Sequence, residues 1–402
     1  MIPSDPKEAV SALTAAALAS IMTHQNMKFD ASICLAGFLC LASTRAFAQT
    51  PVVDAVPTTG PISGYMEVHF NKVEAEDGVL DFHRFVLIVS HSFSPRIQFV
   101  AELELEHAFV EGLEESGELE LEQAYVDFLV TRPFNVRAGM LLVPMGIINE
   151  RHEPPSFQGV ERPFVDTFII PTTWFENGAG VFGEVGRGFR YRAYVMAPLN
   201  ALEFSADEGI RNGRQKGSRS VVRNVAYTGR VEHIGVPGLM LGASAWSGNS
   251  SFLAPRLDVQ VHVGEADVQY KRNRLQLRGE FAQVWIGDAA RLNLTITQLT
   301  GVSPNIARTL RGFYAEGAYR VWQGGAGRDV VGFARYENYD TQFRMPSGYI
   351  PLKQFDRDAW IAGATYYPDP DIAVKVDYIW QRNQSSVVTA PNSFNIGIGW
   401  WF

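Results

Sequence analysis

The sequence predicts an all-β fold, a transmembrane antiparallel β-barrel of about 16 strands with an inward-folded third loop. Three observations carry this prediction. Along most of the chain apolar and polar residues alternate with period two, as they must on a strand with oil on one face and water on the other. The connections alternate between short and long. The last segment, 394–402, is apolar at every second residue and ends on an aromatic carboxyl terminus.

Successive side chains of a strand point to opposite faces, so Phe394, Ile396, Ile398, Trp400 and Phe402 share one face and Asn395, Gly397 and Gly399 the other. A soluble edge strand this apolar would invite aggregation. Ile97, Phe99, Ala101, Leu103 and Leu105 oppose Arg96, Gln98, Glu102, Glu104 and Glu106. Phe134, Val136, Ala138 and Met140 oppose Asn135 and Arg137, and Ile372, Val374, Val376, Tyr378 and Trp380 oppose Ala373, Lys375, Asp377 and Gln381. Segment 330–338 does not alternate cleanly and leaves the direction of Arg335 open.

Short connections fall near 92–95, 131–133, 186–188, 235–237, 272–273, 324–327 and 368–370; long ones near 71–79, 108–117, 143–177, 198–220, 248–255, 288–309, 340–355 and 382–391. Bacterial barrels sort their connections this way, turns on the periplasmic side and loops outside, whereas a sandwich has no reason to. An even strand number then puts both chain ends on the periplasmic side.

The chain holds 402 residues with 46% hydrophobic content, a mean hydropathy of -0.05 and no long apolar run, which excludes helical spans. Segment 31–42 is apolar, follows Met27 and Lys28 and leads into Ala46, Phe47 and Ala48, a small-residue cleavage pattern. Residues 1–48 therefore read as a signal peptide, with Met27 as the expected true start, 49–63 as a short periplasmic lead and 64–402 as the barrel. Both cysteines, Cys34 and Cys40, lie in the leader, so disulfides and cysteine metal sites are not expected. Removal of the leader takes three basic and three acidic residues and leaves the net charge at -8, which argues against nucleic-acid binding.

The third long connection carries Met145, Ile147, Ile148, Phe157, Phe164, Val165, Phe168, Ile169, Ile170, Trp174 and Phe175. So many apolar groups need a wall to pack against, which folding back into the barrel lumen would supply; the alternative is an extracellular cap or a trimer-contact lid. Glu150, Arg151, His152, Glu153, Glu161 and Arg162 interleave charges within it, while strands contribute Arg137, Arg190, Arg192, Arg320 and Lys375. A constriction built from Arg137, Arg151, Arg162, Arg190, Arg192, Arg320 and Lys375, with Glu150, Glu153 and Glu161 as acidic partners, would carry a field across the pore. Taken singly, each arginine reads equally as a lumen residue paired with a carboxylate. Glu102, Glu104 and Glu106 on one strand and Glu118, Glu120 and Glu122 on the next share a face, either as a solvated acidic wall balanced by arginines, the preferred reading, or as a weak divalent site.

Segment 137–146, with Gly139, Pro144 and Gly146 in a G-x-x-x-x-P-x-G spacing, resembles the phosphate-selective porin O and P family. Val160-Glu161-Arg162-Pro163-Phe164 is similar to its Glu-Arg loop element, and Gly178-Ala179-Gly180-Val181 to its glycine-rich return strand. The resemblance is concentrated in these segments. It implies a trimeric sixteen-stranded porin that passes anions by diffusion along arginines and lysines. No lysine lies in the third loop, a departure from that pattern that weakens the case for a lysine-lined phosphate site.

The expected function is thus a passive outer-membrane channel for small hydrophilic solutes, preferring anions. The expected partners are outer-membrane lipid, small anionic or polar solutes, further copies in a homotrimer and, through Phe402, the barrel-assembly machinery. No catalytic residue, cofactor or metal is expected: there is no G-x-S-x-G elbow or H-E-x-x-H helix, and His152 lacks a serine partner. The competing readings are an outer-membrane barrel enzyme and a structural or adhesive barrel with an occluded lumen.

Overall fold

In the computed structural model, residues 61–107, 117–251, 257–325 and 327–402 are described; the expected leader and the second long loop lie outside them. Among these residues sixteen strands form. β1 (Ile62–Val73), β2 (Gly78–Ser94), β3 (Ile97–Glu106), β4 (Glu118–Thr131) and β5 (Phe134–Leu142) precede the third loop. β6 (Phe175–Val185), β7 (Phe189–Met196), β8 (Ala226–Val236), β9 (Leu239–Asn249), β10 (Gln260–Arg272) and β11 (Leu275–Ile286) follow it. After helix α1 (Ala289–Thr300) come β12 (Thr309–Gln323), β13 (Asp329–Arg344), β14 (Asp356–Asp369), β15 (Ile372–Asn383) and β16 (Ser393–Trp401).

Every strand pairs antiparallel with its sequence neighbours, and β1 pairs with β16 to close the ring. Closure leaves no unpaired edge. It is finished by Phe402, whose N–H donates to Gly64 O at 2.9 Å and whose carbonyl accepts from Gly64 N at 3.1 Å. The burial pattern is inverted relative to a soluble protein. Leu121, Phe281, Trp360, Trp380 and Ile396 are exposed, while Glu102, Arg230, Glu265 and Arg335 are buried. A barrel that faces hydrocarbon outward and keeps polar groups within produces this inversion. An Ile396→Arg substitution near mid-strand is expected to cost ~2–4 kcal/mol, read as a lower urea midpoint for the protein refolded in lipid vesicles.

The expected short turns are all found. The first long connection is not: Asn71 pairs with Val79 and Lys72 with Gly78, so only 74–77 stands between β1 and β2. Polar residues that look like a loop in sequence are there the upper part of a hairpin. In β13, Val331, Phe333 and Arg335 are all buried, so Arg335 points inward. The inward apolar pair breaks the alternation because Phe164 of the third loop packs against that cluster.

Two β-bulges set which side chains of β2 and β4 turn inward. Glu67 pairs with Arg84 but His69 with Asp81, so His83 and Arg84 both face inward. Glu102 pairs with Gln123 but Leu103 with Leu121, so Glu122 and Gln123 do likewise. One extra residue in a strand presents two successive side chains on one face.

Candidate functional site

The third loop, 143–174, has almost no ladder of its own, and its backbone groups must find partners elsewhere. They find the inward side chains of distant strands. Gly146 N donates to Ser244 Oγ of β9 (3.3 Å) and Ile147 N to Glu280 Oε2 of β11 (3.3 Å). Val165 N donates to Glu337 Oε2 of β13 (3.1 Å), and Val160 N to Asp377 Oδ2 of β15 (2.6 Å). Lys375 Nζ donates to Gly159 O (2.7 Å), and Thr365 Oγ1 to Gln158 Oε1 (3.0 Å). At the neck of the loop, Asn149 Nδ2 donates to Val143 O (2.7 Å) and Trp174 O (2.9 Å), and its Oδ1 accepts from Trp174 N (2.7 Å). Met145, Ile148, Val165, Ile169, Ile170 and Trp174 join one buried apolar cluster with Trp246, Leu310 and Tyr339.

Buried arginines organise the wall side chains that meet the loop. Arg230 bonds Glu232 (2.8 Å), Glu265 (3.1 Å) and Asp267 (2.6 Å). Arg335 bonds Glu337 (2.8 Å) and Glu316 (3.2 Å) and donates to Gln158 O (3.0 Å). Arg84 stands 3.2 Å from Glu67 and 3.6 Å from both Glu104 and Glu106. Each guanidinium meets several carboxylates at once, the arrangement its fork of donors suits.

On β3 and β4, Glu104 lies opposite Glu120 and Glu106 opposite Glu118. Like charges facing across a ladder are destabilising unless compensated. Lys216, from the 197–225 loop, bonds both Glu118 (3.1 Å) and Glu120. Arg162 of the third loop and Arg211 and Arg214 of the next long loop come together around Thr172 and Thr173. Their hydrogen bonds go to neutral oxygens: Arg162 Nη1 to Thr173 Oγ1 (2.9 Å), Arg211 to Thr172 O, and Arg214 to Pro171 O (3.3 Å) and Thr173 O. Glu208, 3.7 Å from Arg211 Nε, is the carboxylate beside them. Arg162 Nη2 has no hydrogen-bond partner among the described residues. Burial and the adjacent Arg214 push the Arg211 pKa down, and burial does the same to Arg214, which also feels Glu120, Glu122 and Glu106. Arg214 therefore lies within electrostatic reach of the β3 and β4 carboxylates.

The family model for phosphate-selective porin O and P matches residues 64–396. The chain belongs to this porin family. An uncharacterized protein of Aquifex aeolicus (strain VF5) is 35% identical over 327 residues, covering 79% of this porin and 74% of that protein. The fold is that of solved outer-membrane porins. OmpF of Salmonella typhi in complex with daunomycin superposes with a TM-score of 0.56 at 13% identity, covering 85% of this chain and 97% of that one. The outer membrane channel DcaP of Acinetobacter baumannii gives 0.56 at 12%, covering 85% and 96%, and the trimer form of Vibrio cholerae OmpT 0.52 at 10%, covering 85% and 98%. Family and fold place this porin in the bacterial outer membrane as a channel protein.

The residues singled out by sequence fall into separate groups. Arg137 makes a two-point pair with Asp127 (2.7 and 2.8 Å) and lies 3.9 Å over the Tyr125 ring. Arg192 stands between Glu150 (3.3 Å) and Glu232 (3.4 Å), and Arg190 pairs with Glu184 (3.3 Å). Arg151 lies within electrostatic reach of Glu232, Arg192 and Glu150. Lys375 sits 3.9 Å over the Phe157 ring as it holds Gly159. Arg320 does not join them: it pairs with Asp329 (3.1 Å) beside the short turn between β12 and β13. Glu161 accepts from Asn71 (2.8 Å) and meets His69 (3.3 Å). Burial pushes its carboxyl up, but the His69 hydrogen bond and charge outweigh that and hold it at about 2. Glu153 is buried, which raises its carboxyl. Sequence reasoning missed Arg211, Arg214 and Lys216; the signal was their basic run inside a long loop.

Proposed function

We propose that this porin is a passive diffusion channel for small hydrophilic solutes with a preference for anions. In this reading the third loop crosses the lumen, and the eyelet lies between Arg162, Arg211 and Arg214 on one side and the glutamates of β3 and β4 on the other. The observation that carries it is the arginine trio, whose hydrogen bonds go to neutral oxygens, with Glu208, 3.7 Å from Arg211, as the paired carboxylate. Charges on low-dielectric walls act strongly on a passing ion, because bulk screening is reduced there. Paired N–H donors suit a small oxyanion such as phosphate. Arg137, Arg190 and Arg192, each paired with a carboxylate, contribute a largely neutralised lining.

By analogy with the Vibrio cholerae OmpT trimer, the assembly proposed is a homotrimer, and Phe402 is the group offered to the assembly machinery. Planar-bilayer recording under a salt gradient tests the channel. Conductance steps with a reversal potential favouring chloride are expected, and Arg162→Ala combined with Arg214→Ala should move that potential towards cations. Absence of steps would remove the pore and favour an occluded lumen. A cation-selective wild type would remove the arginine trio from the eyelet.

A further inference from the structure

At the root of the acidic wall, His152 of the third loop meets two glutamates. Its Nε2 lies 3.1 Å from Glu122 Oε2 and 3.9 Å from Glu102 Oε1, and the side chains of all three are at most 3% exposed. His152 Nδ1 donates to Asn149 O at 3.1 Å. That bond puts the neutral ring's proton on Nδ1 and turns the Nε2 lone pair towards two carboxylates. Acceptors cannot face acceptors in a buried site without a positive particle between them. Gln123 Nε2 donates to the other oxygen of Glu102 at 2.5 Å and orients it. The β4 bulge is what presents Glu122 and Gln123 together.

Two further observations argue that this particle is more than a proton. Glu102, Glu104, Glu122 and Glu153 are all buried here, while Arg84 divides its charge between Glu67, Glu104 and Glu106. Arg162 adds charge near Glu122 and Glu153, but its hydrogen bond goes to Thr173, and the cationic contact of Glu122 and Glu102 is His152. The Tyr65 hydroxyl of β1 is fully buried and has no hydrogen-bond partner among the described residues. Its ring stands edge-on to His152 at 6.2 Å, and Glu102, Glu122 and Glu104 are the acidic groups it faces.

We infer that His152, Glu122 and Glu102 bind a divalent transition-metal cation of the zinc or manganese class, tying the third loop to the wall formed by β3 and β4. Ligands about 2.1 Å from a tetrahedral zinc stand about 3.4 Å apart, and the observed separations of 3.1 and 3.9 Å bracket that spacing. One imidazole with two carboxylates is a borderline-to-hard donor set of the kind these ions accept. The Nδ1 bond to a backbone carbonyl and the Gln123 bond to Glu102 are the outer contacts that such ligands keep. A second group at the barrel mouth, Asp81, His83 and His107, also brings its ligand atoms within 4.8 Å of one another. There, however, His83 Nε2 accepts from Arg84 Nη2 at 2.8 Å, so Nδ1, the atom aimed at Asp81, carries the proton.

The test is refolding of the mature protein from denaturant after chelation, with zinc, with manganese or with neither, followed by metal analysis of the folded fraction and thermal unfolding. About one bound equivalent per chain and a raised melting temperature are expected with metal. Glu122→Gln and His152→Gln should each lose the equivalent, whereas His83→Asn combined with His107→Asn should keep it. A folded wild type that binds no metal, or a folded Glu122→Gln variant that keeps it, overturns the assignment. Should neither site variant fold, loss of the metal in the His83 and His107 double variant overturns it and retention supports it. Bound metal and melting are read independently of conductance, so failure here is distinct from failure of the channel reading.

Discussion

Replacing Arg230 with Ala is expected to destabilise the barrel by ~3–5 kcal/mol, because it strands the buried carboxylates of Glu265 and Asp267, which pair with it, although Glu232 keeps Arg192 at 3.4 Å. The Arg230 side chain is 2% exposed and bonds Glu232, Glu265 and Asp267. Water cannot replace it at that depth. Pairing Arg230→Met with Glu265→Gln and Asp267→Asn removes charge from both sides and should recover part of the loss. Urea unfolding of each variant in lipid vesicles checks this. A change below ~1 kcal/mol for Arg230→Ala would place these pairs in the weak regime of solvated surface ions.

A Trp174→Ala substitution should cost a comparable ~3–5 kcal/mol, through packing rather than charge. Trp174 is fully buried, its ring centroid stands 5.4 Å from that of Trp246, and its backbone is clamped by Asn149 at the neck of the third loop. Removing the indole opens a void where the loop leaves and rejoins the wall. Thermal unfolding would show the loss, and single-channel records should become noisier as the loop is released. A Trp174→Phe variant, which keeps most of the volume, should fall between the two. An Ala variant as stable and as quiet as the wild type would mean that the neck does not hold the loop.

Much of this molecule is legible from residue order because a strand at an oil–water boundary imposes a period of two on its side chains. The outward faces of β3, β5, β15 and β16 derive from that one constraint, whereas the parity of turns and loops reflects the two sides of the membrane, and the first long connection, 71–79, is mostly strand. The need of segment 143–174 for an apolar partner is legible too, since the large hydrophobic residues crowded between 145 and 175 cannot all remain in water. Local spacing carries such information because each signal depends only on near neighbours and on which solvent each face meets.

Other features depend on segments far apart in the chain and leave no periodic trace. The bulges that turn Arg84 and Glu122 inward beside His83 and Gln123 break the very alternation used to assign faces. Arg335 could be oriented only once Gln158 and Phe164 were seen against its strand. Arg211 and Arg214 reach Thr172 and Thr173 across about forty residues of chain, and His152 reaches Glu122 across thirty. Closing the ring decides these meetings, because it brings loops and distant strands into one low-dielectric interior where an unpartnered polar group is costly.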